Sequence, residues 1–423
     1  MADGGLMREE SDEPARAAAE AVARRSYGKL VAFLAARSGD VAGAEDALAE
    51  AFTAALMEWP AAGTPQKPEA WLLAVARNKQ VDAVRRRVSG ERAIGPMQLI
   101  TEEIAASGGS DAAIPDDRLR LMFACAHPAI DPGVRAALIL QTVLGFDAAA
   151  IASAFLLSPQ AMSQRLVRAK AKIKLAGIPF RVPEADELHD RLDSVLEAIY
   201  AVFSEGWADP AGTELRRRNL AEEGIWLGRL VVSLLPDEPE ALGLLALMLH
   251  AEARRVARRD EAGDYVPLAE QEIGRWNEAM IDEAEALLFR AGKMGIPGRY
   301  QLEAAVQSAH AIRRRSGSAD WAAIERLYDS LSMLIDSPVV AINRAIAVAE
   351  TKGAAEGLAI LDGLVLDDQL SGYQSYWAAR ASLLVRTGRT EEAGQAYDMA
   401  IGLEADPAVR RFLQRRRAAL DRT

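Results

Sequence analysis

A single cysteine, Cys125, in 423 residues excludes a disulfide framework and a cysteine zinc cluster. Histidine is almost as scarce, and His127, His189, His250 and His310 supply no pair at metal-ligand spacing, so neither a metal nor a cofactor is expected. Cys125 and His127 lie close in sequence, but no third group completes a nucleophilic arrangement, and no enzymatic activity is expected. No apolar run of about 18 residues occurs, and the stretch 1–15 is polar and acidic, unlike a secretory leader. A cytoplasmic protein in a reducing compartment is the expectation, with no membrane segment. Val-Ile-Thr runs are short and period-two alternation is missing, which excludes a substantial sheet. What remains is abundant: the chain is 50% hydrophobic and 26% charged, too apolar for disorder. Ala, Leu, Glu and Arg dominate, apolar positions recur at three and four, and the chain reads as all-α with two or three domains.

The net charge of -11 conceals a division. Residues 1–175 carry 21 basic and 21 acidic groups, so residues 176–423, with 29 and 40, hold the whole excess. Two basic stretches stand out: 71–92 has six basic and two acidic groups, and 158–175 has five basic and none acidic. Contact with phosphate is short-ranged under physiological screening, so such patches outweigh the total.

The first helical block runs from about Ala15 to Val88. Its middle helix aligns Val41, Ala44, Leu48, Phe52, Ala55 and Trp59, leaving Asp46 and Glu50 on a solvated face. After the interruption at 60–68, a helix runs from Trp71 through Arg77 and Asn78 to Arg85-Arg86-Arg87, with Leu72, Val75, Ala76 and Ala83 inward and Arg77 and Arg85 opposite them. Trp59 and Trp71, at the edges of that interruption, are expected to pack in the core rather than stack on bases. Residues 93–117, with five acidic and no basic groups and the run Ser107-Gly108-Gly109-Ser110, read as a linker. In the block 118–176, Asp131-Pro132 and Ser158-Pro159 each set a capping side chain before a first-turn proline. A short helix through Ile151 and Phe155, a turn at Leu156-Leu157 and the helix after Ser158 form a helix-turn-helix. In that last helix Met162, Leu166, Ala169 and Ile173 share the inner face. Gln160, Ser163, Gln164 and Arg168 lie opposite, where amides and a guanidinium suit base edges. Lys170, Lys172 and Lys174 suit phosphates. Further on, Asn343-Arg344-Ala345, Gly357 and Leu361 recur as Ala379-Arg380-Ala381, Ala393 and Tyr397. With Trp377, Ala400 and a turn at Gly388 they match the tetratricopeptide spacing over about 338–407.

These pieces resemble a known family. Ala44-Glu45-Asp46-Ala47-Leu48-Ala49-Glu50-Ala51-Phe52, followed by Ala70-Trp71-Leu72, Arg77-Asn78 and Arg85-Arg86-Arg87, resembles region 2 of sigma-70-type extracytoplasmic-function (ECF) sigma factors. Ile151 to Lys172 resembles their region 4, and 183–423, including Tyr200 to Trp207, is similar to a helical-repeat extension of one subgroup. The resemblance implies region 2 at 15–92, the linker at 93–117, region 4 at 118–176 and the extension at 183–423. It implies a promoter-specificity subunit that joins core RNA polymerase and directs it to promoter DNA. Glu45, Asp46, Glu50 and Phe52 would then meet core polymerase, and Trp71, Arg77, Asn78, Arg85, Arg86 and Arg87 the minus-10 element. Gln160, Ser163, Gln164, Arg168, Lys170 and Lys172 would meet the minus-35 element. A separation of about 17 base pairs at roughly 3.4 Å is about 58 Å, within the roughly 80–90 Å reach of an extended linker. The extension is expected to regulate in cis, through an unknown protein or small-molecule signal at the repeats.

Two other readings compete. A conventional helix-turn-helix regulator with a sensing repeat domain would bind duplex DNA without polymerase. A repeat scaffold would leave both basic stretches incidental. The runs Arg216-Arg217-Arg218 and Arg313-Arg314-Arg315 sit among acids and are expected in solvated faces or intrachain ion pairs.

Overall fold

The computed structural model describes residues 6–88, 116–155, 157–207, 215–295, 297–364 and 368–420. The chain is all-α. Among the described residues, the one bridge of strand type joins Arg259 and Tyr265. Two compact units result, Met1–Val202 and Phe203–Thr423.

In the first unit, α1 (Leu6–Ser38), α2 (Val41–Ala62) and α3 (Pro68–Val88) form one bundle. The Asp40 carboxylate caps α2 by accepting the Gly43 N–H at 3.0 Å. Val41, Ala44, Leu48, Ala51, Ala55 and Trp59 form the buried stripe of α2, with Phe52 half-buried at its edge. Trp59 is buried and meets Trp71 edge-to-face at 5.5 Å, which places both in the packing expected of them. The linker expected at 93–117 lies outside the described residues except for Asp116 and Asp117, which lead into α4 (Arg118–Cys125).

The chain continues through α5 (Pro132–Leu144), α6 (Ala148–Ala154), α7 (Pro159–Leu175) and α8 (Ala185–Trp207). Both Asx/Ser-Pro signals act as caps: Asp131 accepts from Gly133 N at 2.9 Å and Ser158 from Ala161 N at 3.2 Å. Gly145 ends α5 in the left-handed region, at φ 76°, which a side chain disfavours. Leu121, Met122, Phe123, Leu138, Ile139 and Leu140 are fully buried, so α4 and α5 form the centre of the unit rather than its surface. The division between units falls within α8, later than the expected start of the extension at Pro183. Arg191 donates to the Phe123 carbonyl at 3.1 Å and Arg135 to Ser194 at 3.1 Å, which fastens the first part of α8 to α4 and α5.

The second unit continues with α9 (Leu215–Leu234), α10 (Pro239–Glu252), α11 (Glu278–Ala291) and α12 (Arg299–Ala311). Then come α13 (Arg313–Ser316), α14 (Trp321–Leu334), α15 (Pro338–Thr351), α16 (Ala354–Asp362) and α17 (Asp368–Ser371). It closes with α18 (Gln374–Arg386), α19 (Thr390–Leu403) and α20 (Pro407–Leu420). Helices α15 and α16, and again α18 and α19, pack as hairpins where the internal repeat was expected. Ala345, Leu361, Ala381, Ala393, Tyr397 and Ala400 belong to one core, with Trp377 against it. Gly357 lies so close to α15 that a Cβ would sit 2.5 Å from the Ala345 carbonyl oxygen. The sequence Gly206-Trp207 is the capped end of α8. Arg255 and Arg258 donate to the Gly206 and Trp207 carbonyls and lie 5.0 and 4.6 Å from the centre of the Trp207 ring. Arg313 is tied to the Leu268 and Gln271 carbonyls and Arg314 to Asp282, the intrachain role expected of that run. The side chains of Arg216, Arg217 and Arg218 lie outside the described residues.

Candidate nucleic-acid interface

The outer face of α7 carries four of the expected groove-reading groups. Met162, Leu166, Ala169 and Ile173 are buried, whereas Gln160, Ser163, Gln164 and Arg168 are exposed. Arg168 Nε donates to the Gln164 carbonyl at 3.2 Å, leaving its terminal nitrogens toward solvent. Lys172 is exposed on the same outer side. Val167, 59% exposed, adds an apolar group to that face, of the kind that suits a thymine methyl.

Lys170 turns toward α2. Its Nζ donates to Glu45 Oε2 on α2 at 2.6 Å, and both side chains are nearly out of water, at 11% and 12% exposure. One turn later, Lys174 Nζ donates to Asp40 Oδ2 at 2.5 Å. A residue expected on the minus-35 element and one expected on core polymerase are thus bonded to each other. Burial pushes the Glu45 carboxyl up, and this outweighs the opposite pull of Lys170. The pair therefore fixes how α7 lies on α2 without supplying much net stability.

Of the other expected polymerase contacts, Phe52 is half-buried and the two carboxylates are accessible. Asp46 and Glu50 are exposed, with Glu50 3.1 Å from Lys79 on α3. Beyond them Leu56 and Met57 are 46% and 75% exposed, large apolar side chains on the same helix.

On α3 the expected minus-10 residues divide. Asn78 and Arg85 are exposed, with Arg85 3.7 Å from Asp82. Trp71 is half-buried against Trp59. Arg77 is half-buried too: its guanidinium lies 4.8 Å from the centre of the Phe33 ring, which also carries Arg37 at 3.4 Å. Burial, then the neighbouring Arg37, pulls the Arg77 guanidinium below its ordinary range. Its position, turned toward α1 rather than opposite the buried stripe, follows from that stacking. The Arg86 and Arg87 side chains lie outside the described residues.

The two halves of this unit also touch away from the lysines. Gly28 on α1 meets α5 so closely that a Cβ would lie 1.9 Å from the Val143 carbonyl oxygen, and Gly145 lies against the Tyr27 ring. Arg37 reaches Asp117 at 3.9 Å. Cys125 is fully buried beside Thr142, and burial pushes its thiol up to about 12, so it is chemically inert. Among the described residues no group of three or more His, Cys, Asp or Glu is placed to hold a metal ion, and no helix is long and apolar enough to cross a membrane.

Residues 22–89 match sigma-70 region 2, and residues 191–292 match a family of unknown function, DUF6596. An uncharacterized protein of Rhizobium meliloti (strain 1021) is 41% identical over 376 residues, 88% of each chain. No solved structure matches.

Proposed function

From a chain that belongs to the sigma-70 family, and so acts with RNA polymerase at promoter DNA, we propose an ECF-type factor that reads two promoter elements. The carrying observation is one compact unit that exposes two different faces. The α2 face, with Asp46 and Glu50 beside Leu56 and Met57, offers charge and apolar surface to core polymerase. The α7 face, with Gln160, Ser163, Gln164, Arg168 and Lys172, offers bidentate donors to base edges and a cation to phosphate. On this reading Asn78 and the arginines ending α3 meet the minus-10 strand, Trp71 and Arg77 position that helix, and α7 reads the minus-35 element. Run-off transcription with purified core enzyme and a genomic fragment library tests it. Protein-dependent start sites preceded by two common elements support the reading, and their absence refutes it.

A conventional helix-turn-helix regulator is the weaker alternative, because such a protein binds duplex unaided while here Lys170 and Lys174 are engaged by α2. For the second unit the proposed role is regulation in cis by tetratricopeptide-like hairpins, whose stacked helices present extended surface to a partner. The informative truncation ends after Trp207 rather than at Val182, because the first part of α8 packs on α4 and α5. Transcription that neither rises nor falls on that cut contradicts a regulatory role.

A further inference from the structure

Ahead of the repeat hairpins, the C-terminal unit holds a cavity of about 270 Å³ among α11, α12, α13 and α14. Helix α11 falls within the stretch that matches the family of unknown function. The floor is apolar, made by Ile281, Ala305, Ala309, Ala323 and Leu327, and its short alanine side chains leave the space unfilled. The rim carries both signs of charge: Glu285 comes from α11, and Arg314 and Arg315 come from α13. Glu285 Oε1 accepts the Ser308 hydroxyl at 2.7 Å, and among the described residues nothing bonds its Oε2. Arg314 is engaged by Asp282 at 2.9 Å, whereas Arg315 is exposed and, among the described residues, has no carboxylate partner. Behind Glu285, His250 Nε2 lies 3.6 Å from Oε1, too far for a hydrogen bond, and at 1% exposure it finds no partner. A buried nitrogen left unmet beside a carboxylate with one unspent oxygen marks a site that a guest completes.

We propose that this cavity binds a free aliphatic α-amino acid of the size of leucine. Size comes first: at about 30 Å³ for each water displaced, the space admits a guest of on the order of nine non-hydrogen atoms, and drug-sized sites begin at roughly 300 Å³. Charge comes next. The ammonium bonds Glu285 Oε2, and the carboxylate meets the guanidinium of Arg315, whose parallel N–H donors suit two oxygens at once. The apolar floor takes the branched side chain. A guest with a single charge leaves the opposite pole without a partner, and a peptide terminus carries one pole only. As the signal for regulation in cis, the amino acid rests on the reading above; as a ligand of the second unit, it does not.

Titration calorimetry on the full-length chain, without polymerase, tests the site with L-leucine, with isocaproate, which lacks the ammonium, and with isoamylamine, which lacks the carboxylate. Leucine should give a saturable heat, and each analogue should bind at least about tenfold more weakly. Arg315→Gln should abolish the preference for leucine over isoamylamine. Glu285→Gln, whose amide oxygen still accepts from Ser308, should abolish the preference over isocaproate. Ala309→Leu, which fills the floor, should remove binding while helix content and thermal midpoint are kept. No saturable heat from leucine, or isocaproate bound as tightly as leucine, overturns the proposal. Preferences that survive both rim substitutions, or leucine bound undiminished by Ala309→Leu, overturn its place in this cavity. Run-off transcription with and without leucine tests the signal. Leucine that binds yet leaves the yield of transcript unchanged overturns the signalling role alone. A chain that binds leucine and gives no start site with core enzyme overturns the sigma reading and leaves the site standing.

Discussion

The two units join their parts by different physics. In the N-terminal unit α7 meets α2 through Lys170 and Lys174 on two carboxylates. In the C-terminal unit the last hairpins meet through Ala345, Gly357, Ala381, Ala393 and Ala400, with ion pairs such as Arg386–Glu350 left at the rim. A contact made of charge can be exchanged for another charged partner at small net cost. A contact made by backbone approach and interlocked methyl groups has no substitute in water. The N-terminal unit holds a contact of the second kind as well, between α1 and α5, where Gly28 meets the Val143 carbonyl.

The strongest way to break this comparison is a pair of glycine substitutions. Gly357→Leu forces a side chain into the Ala345 carbonyl and the Ala349 methyl, and should cost the C-terminal unit about 3 kcal/mol, read as a lowered thermal midpoint. Gly28→Leu meets an even closer carbonyl at Val143, yet its strain can be relieved by separation of the halves. That variant should keep its helix content and expand, measured by small-angle scattering. If both variants simply unfold, the distinction between the joints fails.

Changes on the reading face come next. Gln164→Ala or Arg168→Ala should weaken selection of the minus-35 element by about 1–3 kcal/mol in run-off competition between matched and mismatched promoters. Core polymerase affinity should not move, since neither residue touches α2.

Acid distinguishes the units further. His250 is held down to about 3 by burial, then by Arg254 and Arg314, and His310 to about 4 by burial, then by Arg254 and Arg313. Glu285 faces His250 at 3.6 Å, and Trp321 lies edge-on to His310 at 5.3 Å. A histidine depressed in the folded state is protonated first in the unfolded chain. The stability that these residues contribute is present above about pH 6.5 and is lost as pH falls toward the folded values, by about 1.4 kcal/mol per pH unit for each. Calorimetry from pH 7 to 5 should lower the midpoint of the C-terminal unit, and His250→Asn with His310→Asn should flatten that dependence.

The smallest effect is expected at Lys79. Its pairing with Glu50 is exposed on both sides, so Lys79→Ala should alter stability by no more than about 0.5 kcal/mol in urea titration. A larger loss there would show that exposed charge also binds α3 to α2.

Much of this architecture is legible in the sequence because each signal is local. The caps at Asp131 and Ser158, the stop at Gly145, the inner face of α7 and the small residues of the last hairpins all follow from spacing within one or two turns. The ion pairs between α7 and α2 are not legible, since their partners stand 125 and 134 residues apart. Periodicity identifies which face is buried and says nothing of which distant helix covers it. The same limit explains Arg77: its helical position put it opposite the stripe, while the Phe33 ring on another helix draws it in. The packing of the first part of α8 against α4 and α5 is hidden for a related reason, because the Pro183 break marks a turn in the chain and says nothing of what the next helix covers.

The central claim is that this chain joins core RNA polymerase and directs it to promoters, and co-elution followed by run-off transcription tests it most directly. The full-length protein mixed with purified core enzyme should elute with it and give start sites that core enzyme alone does not. A chain that elutes apart from core enzyme, or a complex with no start site of its own, would contradict the account.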